Sequence, residues 1–527
     1  MYYINRKKDK PDIGYMQAVI EGLMKRGIRL ADCNKLKNHY TSLRETLRLD
    51  LRDKYGIENP NSTKQITSFI QDLSNQISVE SKNDIINICY DDENNKWTSN
   101  ATAMGKLADL GYEFAQDLLD YRHAKKYAEA IESIVEDMDE NGLIHPTVTL
   151  GKTNRINYSR PGIMTIPKQL LWHMVAPLTD GNVLYSVDIK NQEPNILINM
   201  TGAEELKYAL ESEEGLYETM FKDCFAPVAT ANILVDTFDE DRVYNIPEIK
   251  ALGTISPAMY SATRPMNKEV YYKDKKVIGI ETICMGGSKG NYPKLPNTVD
   301  IELEDGSIES VSVDWESAEK KYKKANDYSL IGKLHGLDIK ITKAERKEFK
   351  TSWLAISYGA SIFSIKMNCK TIDGGQVYKY VTGIEAIKNY RNQIDKLAKQ
   401  GINTIGTIFG NRLYAGDYEG DYKKLKRILL DLPVQGSGAD ILSLLIKRFY
   451  DYTKQFGLED KLSLYYTRHD ELIIEVNKDW IAEVGKDKVN AVLHDMLEHQ
   501  IDDWTPFKIE VTETKAESLA DEIEEED

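Results

Sequence analysis

The chain of 527 residues has five cysteines, at 33, 89, 224, 284 and 369, and no CxxC pair. That argues against a cysteine-ligated zinc site or a disulfide framework and fits a reducing cytoplasm. No run approaches the roughly 20 consecutive apolar residues of a membrane span. The opening MYYINRKKDKPD lacks the apolar stretch of a signal peptide. Basic charge is not in excess either: 68 Lys and Arg stand against 84 Asp and Glu, a net charge of −16. Alone, that argues against a nucleic-acid binder. The average hides a gradient. Residues 517–527 hold seven acids and no base, while residues 319–350 hold ten Lys and Arg against five acids. An acidic protein can still present a basic face to a polyanion.

What is present reads as a folded chain: 41% apolar and 29% charged residues, long enough for three or four lobes at roughly 100–200 residues each. The first 140 residues read mainly as helix. MQAVIEGLMKRGI and HYTSLRETLRLDLRDKYGI carry apolar residues every three or four positions. Asn61-Ser62 caps one helix, and Thr98-Ser99-Asn100 precedes a helical stretch expected to run to about Asp137. Residues 143–200 change texture, with the β-rich run NVLYSVDIK, and helix returns at 202–225. Residues 226–336 alternate like strands, and Asp305-Gly306 inside them is a hairpin signal. Residues 340–450 read as helical, and LSLYYTRHDELIIEV as a second hairpin.

Four features carry chemistry. Asp188 and the pair Asp470-Glu471 lie at the ends of β-rich runs. If those runs are neighbours in one sheet, their carboxylates converge into the hard oxygen ligands that Mg²⁺ takes alongside phosphate; otherwise they are solvated turn residues. Arg346, Lys350, Leu354 and Tyr358 are spaced by four and form one helical stripe, with Gly359 next. Cations followed by apolar and aromatic groups suit a nucleoside triphosphate, or the stripe is a solvated basic face. TNRINYSRPGIMTIP, residues 153–167, is an irregular loop able to touch sugar-phosphate, or a surface loop. LPVQGSGADIL, residues 432–442, is a small-residue helix start in which Gln435 reads a groove, or in which Gly436 and Gly438 allow close helix packing.

Together and in this order, from about residue 15 to 510, the features resemble the family-A DNA polymerases, the family of the bacterial repair polymerase and of many phage replicases. YGIENPNSTKQI and LLDYRHAKKYAEAI resemble helical segments at the start of that family's core. Residues 153–167 resemble TGRLSSSxPNLQNIP at Thr153, Arg155, Ser159, Pro161, Ile166 and Pro167. DIKNQE (188–193), the stripe 346–358 and HDE (469–471) resemble motifs A, B and C.

The resemblance implies an α+β right-hand polymerase fold: a helical thumb, an antiparallel-sheet palm and helical fingers with a β-rich insertion. Its domains would be an N-terminal segment on the palm (1–45), thumb (46–140), palm (141–215 and 405–515), fingers (216–404, insertion about 226–336) and an acidic tail (516–527). It implies a DNA-directed DNA polymerase using two Mg²⁺ ions, held by Asp188, Asp470 and the carbonyl of Ile189, with Glu471 assisting. Glu193 would gate against a ribose 2′-OH. Arg346, Lys350, Leu354, Tyr358 and Tyr217 would bind the nucleotide. Arg155, Gln435, Arg427 and His469 would meet primer–template DNA. Implied partners are primer–template DNA, deoxynucleoside triphosphates and a separate exonuclease, helicase or processivity factor. The chain itself would be a monomer, off the membrane.

The sequence also departs from the family. Leu354 replaces Phe or Tyr, and Asp431 stands where an Asn near the minor groove is usual. Tyr217 and Arg346 lie 129 positions apart (346 − 217) where the family has a short connection, so the resemblance says nothing of the insertion. With fewer than 15 residues ahead of the resemblance, the reading expects no proofreading exonuclease module, as in compact phage-like forms. Rival readings are a single-subunit RNA polymerase, disfavoured by Glu193 and HDE, and a catalytically inactive DNA-binding accessory protein, disfavoured by the intact carboxylates and cations.

Overall fold

The computed structural model describes residues 1–31, 33–91, 96–167, 170–171, 174–235, 269–287, 294–315, 327–418 and 420–514. The acidic tail, residues 236–268 of the insertion and Lys320, Lys321, Lys323 and Lys324 of the basic stretch lie outside these. The chain forms two compact units, residues 1–201 with 392–527, and residues 202–391.

The first unit opens with α1 (Ile13–Arg26). Asp12 caps it through a bond from the Tyr15 amide, and Met16, Ile20, Leu23 and Met24 form its buried face. A helical layer follows: α2 (Cys33–Tyr55), α3 (Thr63–Gln76), α4 (Val79–Cys89), α5 (Ala101–Asp109) and α6 (Glu113–Glu136). Ser62 and Asn100 cap α3 and α5 as expected. The layer has its own core around Leu51, Ile70, Met104, Phe114 and Leu118. The single stretch expected to reach Asp137 is two helices. Gly111, at φ +88°, turns the chain between them, a left-handed conformation that glycine adopts without steric cost.

Residues 153–167 are not an irregular loop throughout. β1 (Thr147–Leu150) and β2 (Ile156–Ser159) make a hairpin with Leu150 opposite Ile156, and a 3₁₀ turn spans Ile163–Thr165. β3 (Val183–Ile189) leads into α7 (Gln192–Thr201).

The second unit begins with α8 (Glu204–Glu211) and α9 (Leu216–Cys224). The β-rich stretch is one eight-stranded sheet: β4 (Val228–Val235), β5 (Val270–Tyr272), β6 (Lys275–Ile280), β7 (Thr282–Gly287), β8 (Thr298–Leu303), β9 (Ile308–Trp315), β10 (Asp327–Leu334) and β11 (Asp338–Ile339), in the order β7-β4-β10-β9-β8-β6-β5-β11. Among the described residues of this sheet, β4 and β7 alone pair in parallel. Asp305-Gly306 turns β8 into β9, with Gly306 at φ +78°. Ala231, Ile233, Val277, Met285, Ile301, Val313 and Leu330 are among the residues of the sheet's separate core. Val228 lies opposite Lys333, so the strands that enter and leave the insertion are neighbours. Helices α10 (Lys343–Ser357), α11 (Ile362–Asn368) and α12 (Gly374–Gly383) follow, and α13 (Glu385–Lys399) leads back to the first unit.

There, the hairpin β12 (Thr404–Gly406) and β13 (Arg412–Tyr414) precedes α14 (Tyr422–Phe456). The expected helix start at 432 is the middle of this 35-residue helix, which Asp421 caps and which runs through Pro433. The small residues serve close packing. A Cβ on Gly436 would lie 2.2 Å from Leu413 Cδ1, and one on Gly438 2.5 Å from Gln192 Oε1. By length and hydropathy α14 could cross a membrane, but 83% of its most apolar window is buried within the protein, as in a core helix. The chain continues through β14 (Leu462–Arg468), β15 (Glu471–Val476), α15 (Lys478–Val484), α16 (Lys486–Leu497) and β16 (Ile509–Thr514). An antiparallel sheet in the order β14-β15-β3-β16 is the centre of this unit.

Candidate active site

The sheet register decides where the carboxylates go. β15 pairs with β3 so that Glu471 lies opposite Asp188, and directly opposed residues share a face. Arg468 pairs with Glu471, so His469 and Asp470 alone make a two-residue turn. His469 sits at φ +55°, the conformation tight hairpin turns demand and non-glycine residues seldom adopt. The tip is therefore shorter than the four residues RHDE read from sequence.

Glu471 is 3% exposed and accepts a short hydrogen bond from the Ser186 hydroxyl, two residues along β3 from Asp188. Burial, and then the charge of Asp188, push the Asp470 carboxyl up to about 6. The two carboxylates therefore feel one another's charge. Burial, then Arg155 and Arg468, lower the His469 imidazole below its usual range, so the ring is neutral near pH 7.

Beside this pair lies a second polar group. Arg155 Nη2 donates to Glu193 Oε1 at 2.8 Å, with both side chains about four-fifths covered. Glu193 stands in the first turn of α7. Arg427, Asp431 and Gln435 follow at intervals of four on α14, one helix stripe. Arg427 is exposed and Gln435 half-buried. Burial, and then Glu193, push the Asp431 carboxyl up to about 6, opposed by Arg155 and a bond from Gln435. One Asp431 oxygen, Oδ1, is shut off from solvent with no hydrogen-bond partner. The structure thus gathers Asp188, Asp470, Glu471, His469, Arg155, Glu193 and Gln435 in the first unit.

The second unit carries the nucleotide stripe. Thr342 and Glu345 form a reciprocal capping box that starts α10. Phe349, Trp353 and Ile356 make its buried face. Arg346, Lys350 and Leu354 lie away from that face, and Tyr358 stands one residue past the helix, before Gly359 at φ +93°. Tyr217 on α9 is 1% exposed, packed edge-on against Trp353. The Arg346 guanidinium lies 6.0 Å and the Lys350 ammonium 5.4 Å from its ring centroid. Tyr217 is thus a floor beneath two cations.

Several neighbours were not read from the sequence. Glu218 pairs with Arg346, and Ser186 holds Glu471. Arg468 is 9% exposed and donates to the Ile166 carbonyl at 2.8 Å. Only the alternation of YSVD, which puts Ser186 on the face of Asp188, signalled any of them in advance.

Among the described residues, no group of three or more Asp, Glu, His or Cys gathers as a metal site. The donors at Asp188 and Asp470 are carboxylate oxygens, and two repelling carboxylates in a half-buried place are relieved by a divalent ion. The residues fit Mg²⁺.

One unit thus carries acids at the meeting of β3 and β15, and the other, on its own helices, carries a pair of cations over Tyr217. The family model "DNA polymerase family A" matches residues 31–233 and 332–515, which is most of the chain, and the chain belongs to that family. The gap between the two matched segments falls within the insertion, where residues 268–337 match the model "Bacterial Ig-like domain (group 4)". DNA polymerase I of Caldicellulosiruptor bescii is 30% identical over 169 residues, covering 30% of this chain and 20% of the relative. DNA polymerase I of Aquifex aeolicus is 25% identical over 253 residues, 46% of this chain and 41% of the relative. The chain therefore matches well under half the length of either relative. Among solved structures, the POL domain of Pol1 from M. smegmatis, in complex with DNA primer-template and dNTP, aligns at a TM-score of 0.59 with 15% identity, covering 95% of this chain and 68% of that one. The fold is the α+β right-hand polymerase fold.

Proposed function

We propose that the chain is a template-directed DNA polymerase that adds deoxynucleotides to a primer 3′-OH, with in-line attack on the α-phosphate and loss of pyrophosphate. The observation that carries the reading is the strand register that sets Asp188 opposite Glu471 and next to the turn bearing Asp470. Asp188, Asp470 and the Ile189 carbonyl would hold two Mg²⁺ ions, which supply charge neutralisation at the attacking and leaving oxygens. Glu471, fixed by Ser186, holds the local charge in place. Arg346 and Lys350 take the triphosphate, with Tyr217 beneath their heads and Leu354 and Tyr358 against sugar and base. Glu193, braced by Arg155, excludes a 2′-OH. Arg155, Gln435, Arg427 and His469 meet the primer–template, with neutral His469 able to donate or accept one hydrogen bond.

The braced Glu193 favours deoxynucleotides and disfavours the RNA-polymerase reading, and the intact acids and cations disfavour an inactive accessory. Synthesis without proofreading is the activity proposed for these residues. Primer extension with deoxy- and ribonucleotides on wild-type protein tests the reading. DNA synthesis without digestion of a mismatched primer end is expected. Ribonucleotide preference, no synthesis, or 3′→5′ digestion that co-purifies with the chain would each refute part of it.

A further inference from the structure

We propose that Glu218 is an internal competitor for the nucleotide. Its carboxylate occupies the Arg346 guanidinium in the free chain and gives way when a triphosphate binds. The inference rests on Arg346 and Lys350 being the triphosphate cations.

Arg346 Nε donates to Glu218 Oε1 in a short ion pair. Both partners remain reachable from solvent, Arg346 45% and Glu218 24% exposed. A carboxylate here does what a phosphate oxygen would do: it presents a hard anionic acceptor to the guanidinium. The Arg346 and Lys350 heads both lie within 6.0 Å of the Tyr217 ring centroid, so the site brings two positive charges against the one carboxylate of Glu218.

The competitor is held loosely on its other side. Glu218 Oε2 is shut off from solvent and has no hydrogen-bond partner, so half the carboxylate has lost its water without replacement. It packs close to residue 215: a Cβ on that glycine would lie 2.6 Å from Oε2 and would push the carboxylate aside. The neighbouring cation Lys222 is already engaged by Glu214 and Asp338. When Arg346 turns to a phosphate, Glu218 is not left uncompensated. It lies in the first turn of α9, where the helix dipole favours an anion, and swinging outward rehydrates Oε2. The same exchange runs backwards as pyrophosphate departs, with Glu218 reclaiming Arg346.

Such a pair raises the apparent dissociation constant by the reciprocal of the fraction of chains in which Arg346 is free. The test is steady-state extension by the full chain on primer–template, reading KM for one deoxynucleotide and Ki for pyrophosphate. Glu218→Gln, which keeps the shape and removes the charge, is expected to lower both by about two- to fivefold, the range of a partly exposed ion pair. The gain should shrink at high salt and vanish in an Arg346→Ala background. Glu218→Ala should lower KM as well; a purely structural role would instead lower Tm and leave KM where it was. If Arg346→Ala raises KM but Glu218→Gln leaves it unchanged or raises it, the competitor is refuted and the nucleotide reading stands. If Arg346→Ala leaves KM unchanged, the nucleotide reading fails and the competitor falls with it.

Discussion

Asp188 and Glu471 face each other across β3 and β15, although 283 positions (471 − 188) separate them in the chain. That pairing carries Asp470, the next residue back along the turn, to within repelling distance of Asp188. Neither acid could be placed by local propensity. Both are placed by a sheet whose register, slipped by one residue, would exchange the buried face of Leu472 and Ile474 with that of Glu471, Ile473 and Glu475.

The Arg155–Glu193 pair bears on sugar choice. Glu193→Ala removes the carboxylate that would meet a 2′-OH and frees Arg155. The preference for deoxy- over ribonucleotide, measured as a ratio of kcat/KM, should fall by about 10- to 100-fold. An unchanged ratio would place the gate elsewhere.

Leu354 offers the nucleotide neither a hydroxyl nor a flat ring. A dideoxynucleotide then loses its own 3′-OH contact with no replacement, a loss of roughly 1.5–3 kcal/mol next to a charged group, or about 10- to 150-fold in rate. Wild type should reject dideoxynucleotides and Leu354→Tyr should accept them more readily. The ratio of kcat/KM for the two substrates in both proteins decides it. Free use of terminators by wild type would mean Leu354 does not meet the sugar.

The insertion can be cut where its strands meet. Because Val228 lies opposite Lys333 and the sheet has its own core, replacing residues 228–334 by a short linker should leave a folded protein that extends primers across short gaps. The loss should appear in processivity or strand displacement. Wild-type behaviour on long templates would make the sheet a passive addition.

Sequence reading reached the acids, the cation stripe and the insertion because each has a local pattern: alternation into a carboxylate, spacing by four, and Asp-Gly between alternating runs. It placed a helix start at Leu432 because proline and glycine ordinarily punctuate, whereas in α14 tight packing against Leu413 and Gln192 is what those small residues provide. It missed the break at Gly111 because helical periodicity resumes after one turn. The parallel pairing of β4 with β7 and the ion pair from Glu218 to Arg346 are long-range, and no local pattern encodes them.

Asp440 supplies a pH test of stability. It is fully buried, and burial pushes its carboxyl up to about 6, opposed by bonds from Thr407 and Asn411. The folded state then holds a proton that the unfolded chain releases from about pH 4 upward, so stability should fall as pH rises from about 4 to 6 and level off above. Two pH units correspond to roughly 3 kcal/mol. Asp440→Asn should flatten that part of the profile, read as the change in Tm between pH 4.5 and 7 relative to wild type. An equal slope in both proteins would show that Asp440 does not carry it.

The most direct test of the catalytic reading is single-turnover primer extension by Asp188→Ala and Asp470→Ala, with primer–template affinity measured on the same preparations. On the proposed reading each carboxylate acts as charge develops at phosphorus, and neither holds DNA. The expected result is a loss in rate of about a thousandfold or more with DNA affinity close to wild type. A variant of either residue that extends primers at near-wild-type kcat would contradict the assignment.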